Sequence, residues 1–338
     1  MPVHVPAFTA RPPWLGADLQ TLRNTLRPPR AGLERYAAAR LELPLGDGSG
    51  DRLAAILQRP DAPRPAPLAV LVHGLSGTED SAYMQVSAAA LLERGHPVLR
   101  LNLRGAGASR PLCRFQYHAG RTADLRAALL ALDPALRADG VLLVGFSLGG
   151  NLLLKFLAEH ADVVPVRAAV AISAPLDLAA AARRIVVRRN AVYHWNLLRA
   201  MKAEALAPGA ALAPSERIAI ATARTIIEFD DHFVAPRNGF AGAADYYARN
   251  SAQAFLAHIT VPTLVLHALD DPWIPPASYR RVAWASLPHV HAVLAPGGGH
   301  VGFHARGSAR PWHDQMIGDF FSRMSPLPSG EGQGEGTR

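Results

Sequence analysis

The sequence predicts an α/β architecture, a mostly parallel β-sheet covered by helices on both faces. Three observations predict it. Short apolar runs alternate with longer helix-like segments along most of the 338 residues. The central runs, such as LAVLV and VLLV, are apolar at every position rather than every second one, as strands buried on both faces must be. Between them, a glycine such as Gly95 stands where a helix would stop and the chain would turn into the next strand.

Taken in order, residues 1–40 are rich in Pro and Arg and read as an irregular arm laid on the domain, with Trp14 and Leu15 as anchors. Strand-like runs follow at 41–45, 52–58 and 68–73, a Pro-rich stretch separating the last two. The first two have no helix between them and imply an antiparallel start. An amphipathic segment at 81–94 is followed by a strand at 98–101, a helix at 122–132, a run at 141–144, a helix at 149–159 and a run at 168–173. Between 175 and 259 the alternation stops. That helix-rich stretch carries Tyr193, Trp195, Phe229, Phe233, Phe240, Tyr246 and Tyr247 and reads as a lid. The sheet resumes at 263–267, with a helix at 277–286, a strand at 290–294 and a last helix at 312–324. The expected division is an arm (1–40), a core (41–175 and 260–324), a helical lid (176–259) and a disordered Gly/Pro/Glu tail (325–338).

Composition excludes several classes. With 49% hydrophobic and 18% charged residues the chain can bury a large core. The N-terminus lacks a basic segment followed by an apolar run, and no stretch reaches the roughly 18 apolar residues a spanning helix needs, so a cytoplasmic protein without a transmembrane segment is expected. Cys113 is the only cysteine, which rules out an internal disulfide, and no Cys/His spacing suggests a metal. The net charge of +8 is carried almost wholly by arginines spread along the chain without a nucleic-acid motif, so no nucleic-acid partner is expected. The densest cluster, Arg183, Arg184, Arg188 and Arg189, reads as a solvated helix face.

The chemistry concentrates at Gly145-Phe146-Ser147-Leu148-Gly149, directly after the run VLLV and before the helix GGNLLLKFLAEH. A strand-to-helix turn this tight strains its middle residue, needs small residues on either side, and exposes the serine at the sheet edge. A serine hydroxyl requires a base, and the base an orienting carboxylate. His300, in PGGGHVGF just past a strand, is the candidate base, with Gly297, Gly298 and Gly299 a flexible lead-in. Asp270 and Asp271 both follow the run at 263–267; the spacing from Ala268 favours Asp271, with Asp270 bracing the turn. The backbone N–H of Leu148 and that of Leu75, in His73-Gly74-Leu75, are the expected oxyanion donors, and His73 is read as structural. Trp195 and Phe233 are candidate lid contacts for an acyl chain, with core packing the commoner fate of such aromatics. Asp230, Asp231 and His232 are too close in sequence to converge on one ion and suggest a lid-to-core salt bridge. The glycines of Arg104-Gly105-Ala106-Gly107 do not form a dinucleotide fingerprint and belong to the loop after the fourth strand.

The motifs HGLSGTEDSAYMQ, NLRGAGAS, YHAGRTADLR, GFSLGGNLLLKFL, FDDHFVAPRNGFAGAADYY, ALDDPWIP and GGHVGF, with LGADLQTL near the N-terminus, resemble YheT-like esterases of the α/β-hydrolase superfamily, relatives of the mammalian α/β-hydrolase-domain proteins 1 to 3. The resemblance spans nearly the whole chain. It implies an α/β-hydrolase fold with a helical lid, and a serine esterase acting on small ester or lipid substrates of short to medium acyl length, with Ser147, Asp271 and His300 on the matching positions and no cofactor. An acyltransferase using the same triad, or a non-catalytic ligand-binding member of the fold, are the alternatives.

Overall fold

The computed structural model of the chain describes residues 7–62 and 64–324. In chain order it contains α1 (Ala17–Leu26), β1 (Ala38–Pro44), β2 (Arg52–Gln58), β3 (Leu68–Val72), α2 (Ala82–Glu93), β4 (Val98–Leu101), α3 (Thr122–Ala131), β5 (Val141–Phe146), α4 (Leu148–His160) and β6 (Val166–Ile172). Then come α5 (Leu178–Ile185), α6 (Ala191–Ala205), α7 (Pro214–Thr222), α8 (Ile226–Phe229), α9 (Ala235–Arg237), α10 (Ala243–Asn250), β7 (Thr263–Ala268), α11 (Pro276–Arg280), β8 (Val290–Ala295) and α12 (Trp312–Met324).

The strands form one sheet in the order β1-β2-β4-β3-β5-β6-β7-β8. β2 pairs antiparallel with both β1 and β4, and every other pairing is parallel. The continuous apolar runs have a direct reason. In β3, Leu68, Val70 and Val72 enter the core on one face, while Ala69 and Leu71 enter the core on the other. β5 divides likewise, with Val141 and Leu143 on one side and Leu142, Val144 and Phe146 on the other. Each buried Val, Leu or Phe among them contributes about 1.5–3 kcal/mol of burial. Helices between β6 and β7 build a third apolar cluster, which includes Leu178, Ile185, Met201, Phe229, Phe233 and Tyr246, and α10 packs back on α5.

Three expectations are corrected. The stretch expected to be an irregular arm contains α1, entered through Gly16 at φ 80°, and already begins β1. Its anchor is the buried Gln20, whose side chain bonds His304 at both the backbone N–H and C=O, rather than Leu15, which faces solvent. The helix expected at 277–286 stops at Arg280 and resumes only as a single turn, Trp284–Ser286. The tail expected to be disordered lies outside the described residues. Arg104, read only as part of a loop, is buried and paired with Asp47, Asp51 and Asp124.

Candidate active site

Ser147 joins β5 to α4 with φ 50° and ψ −120°, a region that favours glycine. The turn closes because its flanks have no side chains. A Cβ on Gly145 would lie 2.5 Å from the Gly149 carbonyl oxygen, and one on Gly149 2.4 Å from that of His73. Ser147 therefore stands at the N-terminus of α4, where the helix dipole favours negative charge.

His300 reaches it from the loop after β8. Its Nε2 lies 2.9 Å from Ser147 Oγ and its Nδ1 2.8 Å from Asp271 Oδ2. Beside a carboxylate Nδ1 carries the proton, so Nε2 is free to accept from the serine. The other oxygen, Asp271 Oδ1, accepts from the backbone N–H groups of Trp273 and Ile274. Burial pushes this carboxyl up, but the His300 charge and hydrogen bond, His267 and the Trp273 N–H outweigh it and hold Asp271 below its ordinary value. Trp273 also stacks on the His300 ring, with centroids 4.3 Å apart.

Gly298 and Gly299 before His300 serve close approach. Gly299 has φ 60°, and a Cβ there would lie 2.4 Å from the Ala17 carbonyl oxygen of α1. The loop is bound on every side: the Gly299 N–H donates to Asp270, the His300 N–H to Thr21 Oγ1, and the Val301 N–H to Ser173 Oγ. Asp270 thus braces the histidine loop.

The loop after β3 lies opposite. His73 Nδ1 donates to the Gly74 carbonyl and Nε2 accepts from the Leu103 N–H, and burial pushes its pKa down to about 4, so this histidine is a neutral structural link. Ser76 has φ 53° and its N–H donates to the Tyr117 hydroxyl, which donates to Glu204 on α6. Leu75 and Leu148 both border the cavity beside Ser147. The Leu148 N–H, at the first position of α4, has no partner within the helix.

The cavity has a volume of about 440 Å³, within the range of small-molecule sites. Part of its lining is apolar, formed by residues between β6 and β7 that include Leu178, Met201, Ile226, Phe229 and Phe233, while Thr21, Asn24 and Thr25 of α1 also border it. Phe233 lines it. Trp195 does not: it lies on the outer side of α6 with 62% of its surface exposed, because Leu197 and Met201 occupy the inner side. Nor do Asp230, Asp231 and His232 make a lid-to-core salt bridge. Asp230 accepts from Tyr247 within the lid and borders the cavity, and Asp231 caps α10 at the Ala243 N–H. Burial raises both cavity carboxyls, Glu204 and Asp230, to about 7. Thr21, Ser173, Trp273 and Tyr117 escaped the sequence reading as site residues, although Thr21, Trp273 and Tyr117 stand inside the motifs LGADLQTL, ALDDPWIP and YHAGRTADLR.

A serine elbow at the sheet edge, a histidine loop after the last strand and a helical insertion between β6 and β7 define a class. The chain belongs to the α/β-hydrolase fold family, which matches residues 67–306. Within that family it is similar to an Escherichia coli (strain K12) protein named as an esterase, YheT, with 34% identity over 84% of each chain. A medium-chain fatty acid ethyl ester synthase/esterase of Saccharomyces cerevisiae is 26% identical over 77% of this chain, which spans 63% of that protein. Among solved structures an esterase of Pyrococcus furiosus shares the fold, with a TM-score of 0.59, 14% identity and coverage of 95% of this chain and 97% of that one. Among the described residues no helix is long and apolar enough to cross a membrane.

Proposed function

We propose that the protein hydrolyses carboxylic esters of short to medium acyl length through an acyl-enzyme, with Ser147 as nucleophile, His300 as base and Asp271 as its orienting partner. The observation that carries this reading is the hydrogen-bonded line from Ser147 Oγ through His300 to Asp271, beside an apolar cavity. Nε2 of His300 takes the hydroxyl proton as Oγ attacks the carbonyl carbon. The oxyanion is received by the Leu75 and Leu148 N–H groups. Collapse of the intermediate expels the alcohol, which leaves with the proton from His300, and water repeats the two steps to release the acid. The acyl chain lies under the lid against Phe233, and the polar wall of α1 receives the alcohol.

Hydrolysis of p-nitrophenyl esters from acetyl to palmitoyl tests this. Wild type is expected to act best on short and medium chains, and Ser147→Ala to lose at least about 10⁴-fold in kcat while remaining folded. Full activity in Ser147→Ala would falsify the triad. The yeast relative's name includes a synthase, which supports a second reading in which an alcohol replaces water as acceptor. Adding ethanol and following products separates the two: an excess of ethyl ester over free acid favours transfer.

A further inference from the structure

A surface helix ordinarily turns its apolar stripe toward the core. α1 does the reverse. Gln20, Thr21 and Asn24 face the histidine loop and the cavity, whereas Leu15, just before the helix, and Leu19 and Leu26 within it share the outer face, with 53%, 41% and 61% of their surface exposed. The stripe adjoins a second one on the lid. Asp18 of α1 pairs with Arg189 at 2.6 Å and accepts from the Tyr193 hydroxyl of α6, and next to Tyr193 the outer face of α6 presents Val192 and Trp195, 73% and 62% exposed. Exposed basic residues stand on or next to the same elements. Arg27 and Arg30 follow α1, and Arg183, Arg188 and Arg199 stand exposed on or beside the lid helices. Among the described residues none of these five forms an ion pair, and the one acidic residue of α1, Asp18, is already engaged by Arg189.

We propose that this face is a docking surface for the headgroup region of an anionic lipid bilayer, holding the mouth of the cavity against the membrane. The charge and the apolar residues point to the same occupant. Arginines without ion pairs beside exposed leucines, one of these arginines, Arg199, lying 5.2 Å over the Trp195 ring, match an interface that is negative at its surface and apolar just beneath, and an amphipathic tryptophan settles at that boundary. Continuity with the cavity supplies the geometry, since the inner side of the same helix lines it. The proposal is independent of the reaction: vesicle binding is read without turnover.

Co-sedimentation of the full chain with phosphatidylcholine vesicles, with and without about 30% phosphatidylglycerol, tests it. Wild type should partition at least about tenfold more onto the anionic vesicles, and rising salt should weaken that binding. The triple variant Leu15→Ser, Leu19→Ser, Leu26→Ser should lose about tenfold or more in partition, with unchanged melting temperature and unchanged hydrolysis of a soluble ester. Vesicles should shift the tryptophan emission of wild type to the blue, and Trp195→Phe should remove that shift. Absence of binding to either vesicle, or equal binding by the triple variant, overturns the proposal. So does self-association of the wild type that the triple variant abolishes, which would assign the face to a second copy of the chain.

Discussion

Ser147 holds a backbone conformation that costs a non-glycine residue of the order of 1–3 kcal/mol. Replacing it separates strain from chemistry. Ser147→Gly is expected to abolish turnover yet raise stability by about 1 kcal/mol, read as a higher denaturant midpoint. Stability equal to or below that of Ser147→Ala would mean the turn stores no strain. Tyr117 acts one residue from the expected oxyanion donor, through its bond to the Ser76 N–H. Tyr117→Phe keeps the ring against His73 but removes the acceptor for Ser76. We expect kcat to fall about tenfold with KM changed much less, because the loop matters most when the oxyanion forms. An equal change in KM and none in kcat would instead give Tyr117 a role in ground-state binding.

At the scale of elements, α1 lies outside the span matched by the family yet completes the site. Its Thr21 hydroxyl accepts the His300 N–H and its Gln20 holds His304, so the loop bearing His300 is clamped between α1 and the sheet. Thr21→Val keeps the shape of the side chain and leaves that N–H without an acceptor. The expected result is a stability loss of about 1–3 kcal/mol and an activity loss of about tenfold, with Thr21→Ser retaining both. If Thr21→Val matched wild type in kcat/KM, the clamp would be without catalytic consequence.

Over the whole molecule, two sets of buried groups oppose each other in pH. Burial pushes His73 and His267 down to about 4, and His304 and His313 to about 3. They are neutral in the fold and charge on unfolding, so their contribution is full above about 6.5 and is lost as pH falls from there toward 3. Burial pushes Asp314, bonded to Ser87, up to about 7. Its contribution has the opposite sign: it is full below the ordinary carboxyl range and lost as pH rises through about 7. Asp314→Asn should therefore match wild type most closely near pH 4 and exceed it increasingly as pH rises through about 7, as measured by urea denaturation. A stability difference that does not change with pH would contradict this environment for Asp314.

What the sequence by itself determined was whatever depends on local pattern. Apolar runs and their alternation with helices specified the parallel sheet, because period and burial are properties of consecutive residues. The elbow was legible for the same reason: Gly145, Ser147 and Gly149 sit within one turn and their spacing is the constraint. The tertiary structure alone decided what depends on distant segments meeting. That Trp195 faces outward follows from which side of α6 Leu197 and Met201 bury, and period alone leaves that choice open between several apolar stripes. That Arg104 is a buried ionic centre requires the β1–β2 connection, with Asp47 and Asp51, and α3, with Asp124, to converge on it. α1 was not legible as a helix, although LGADLQTL matched the family resemblance, because its inward face is polar and its apolar stripe outward, the reverse of the pattern by which a packed helix is recognised.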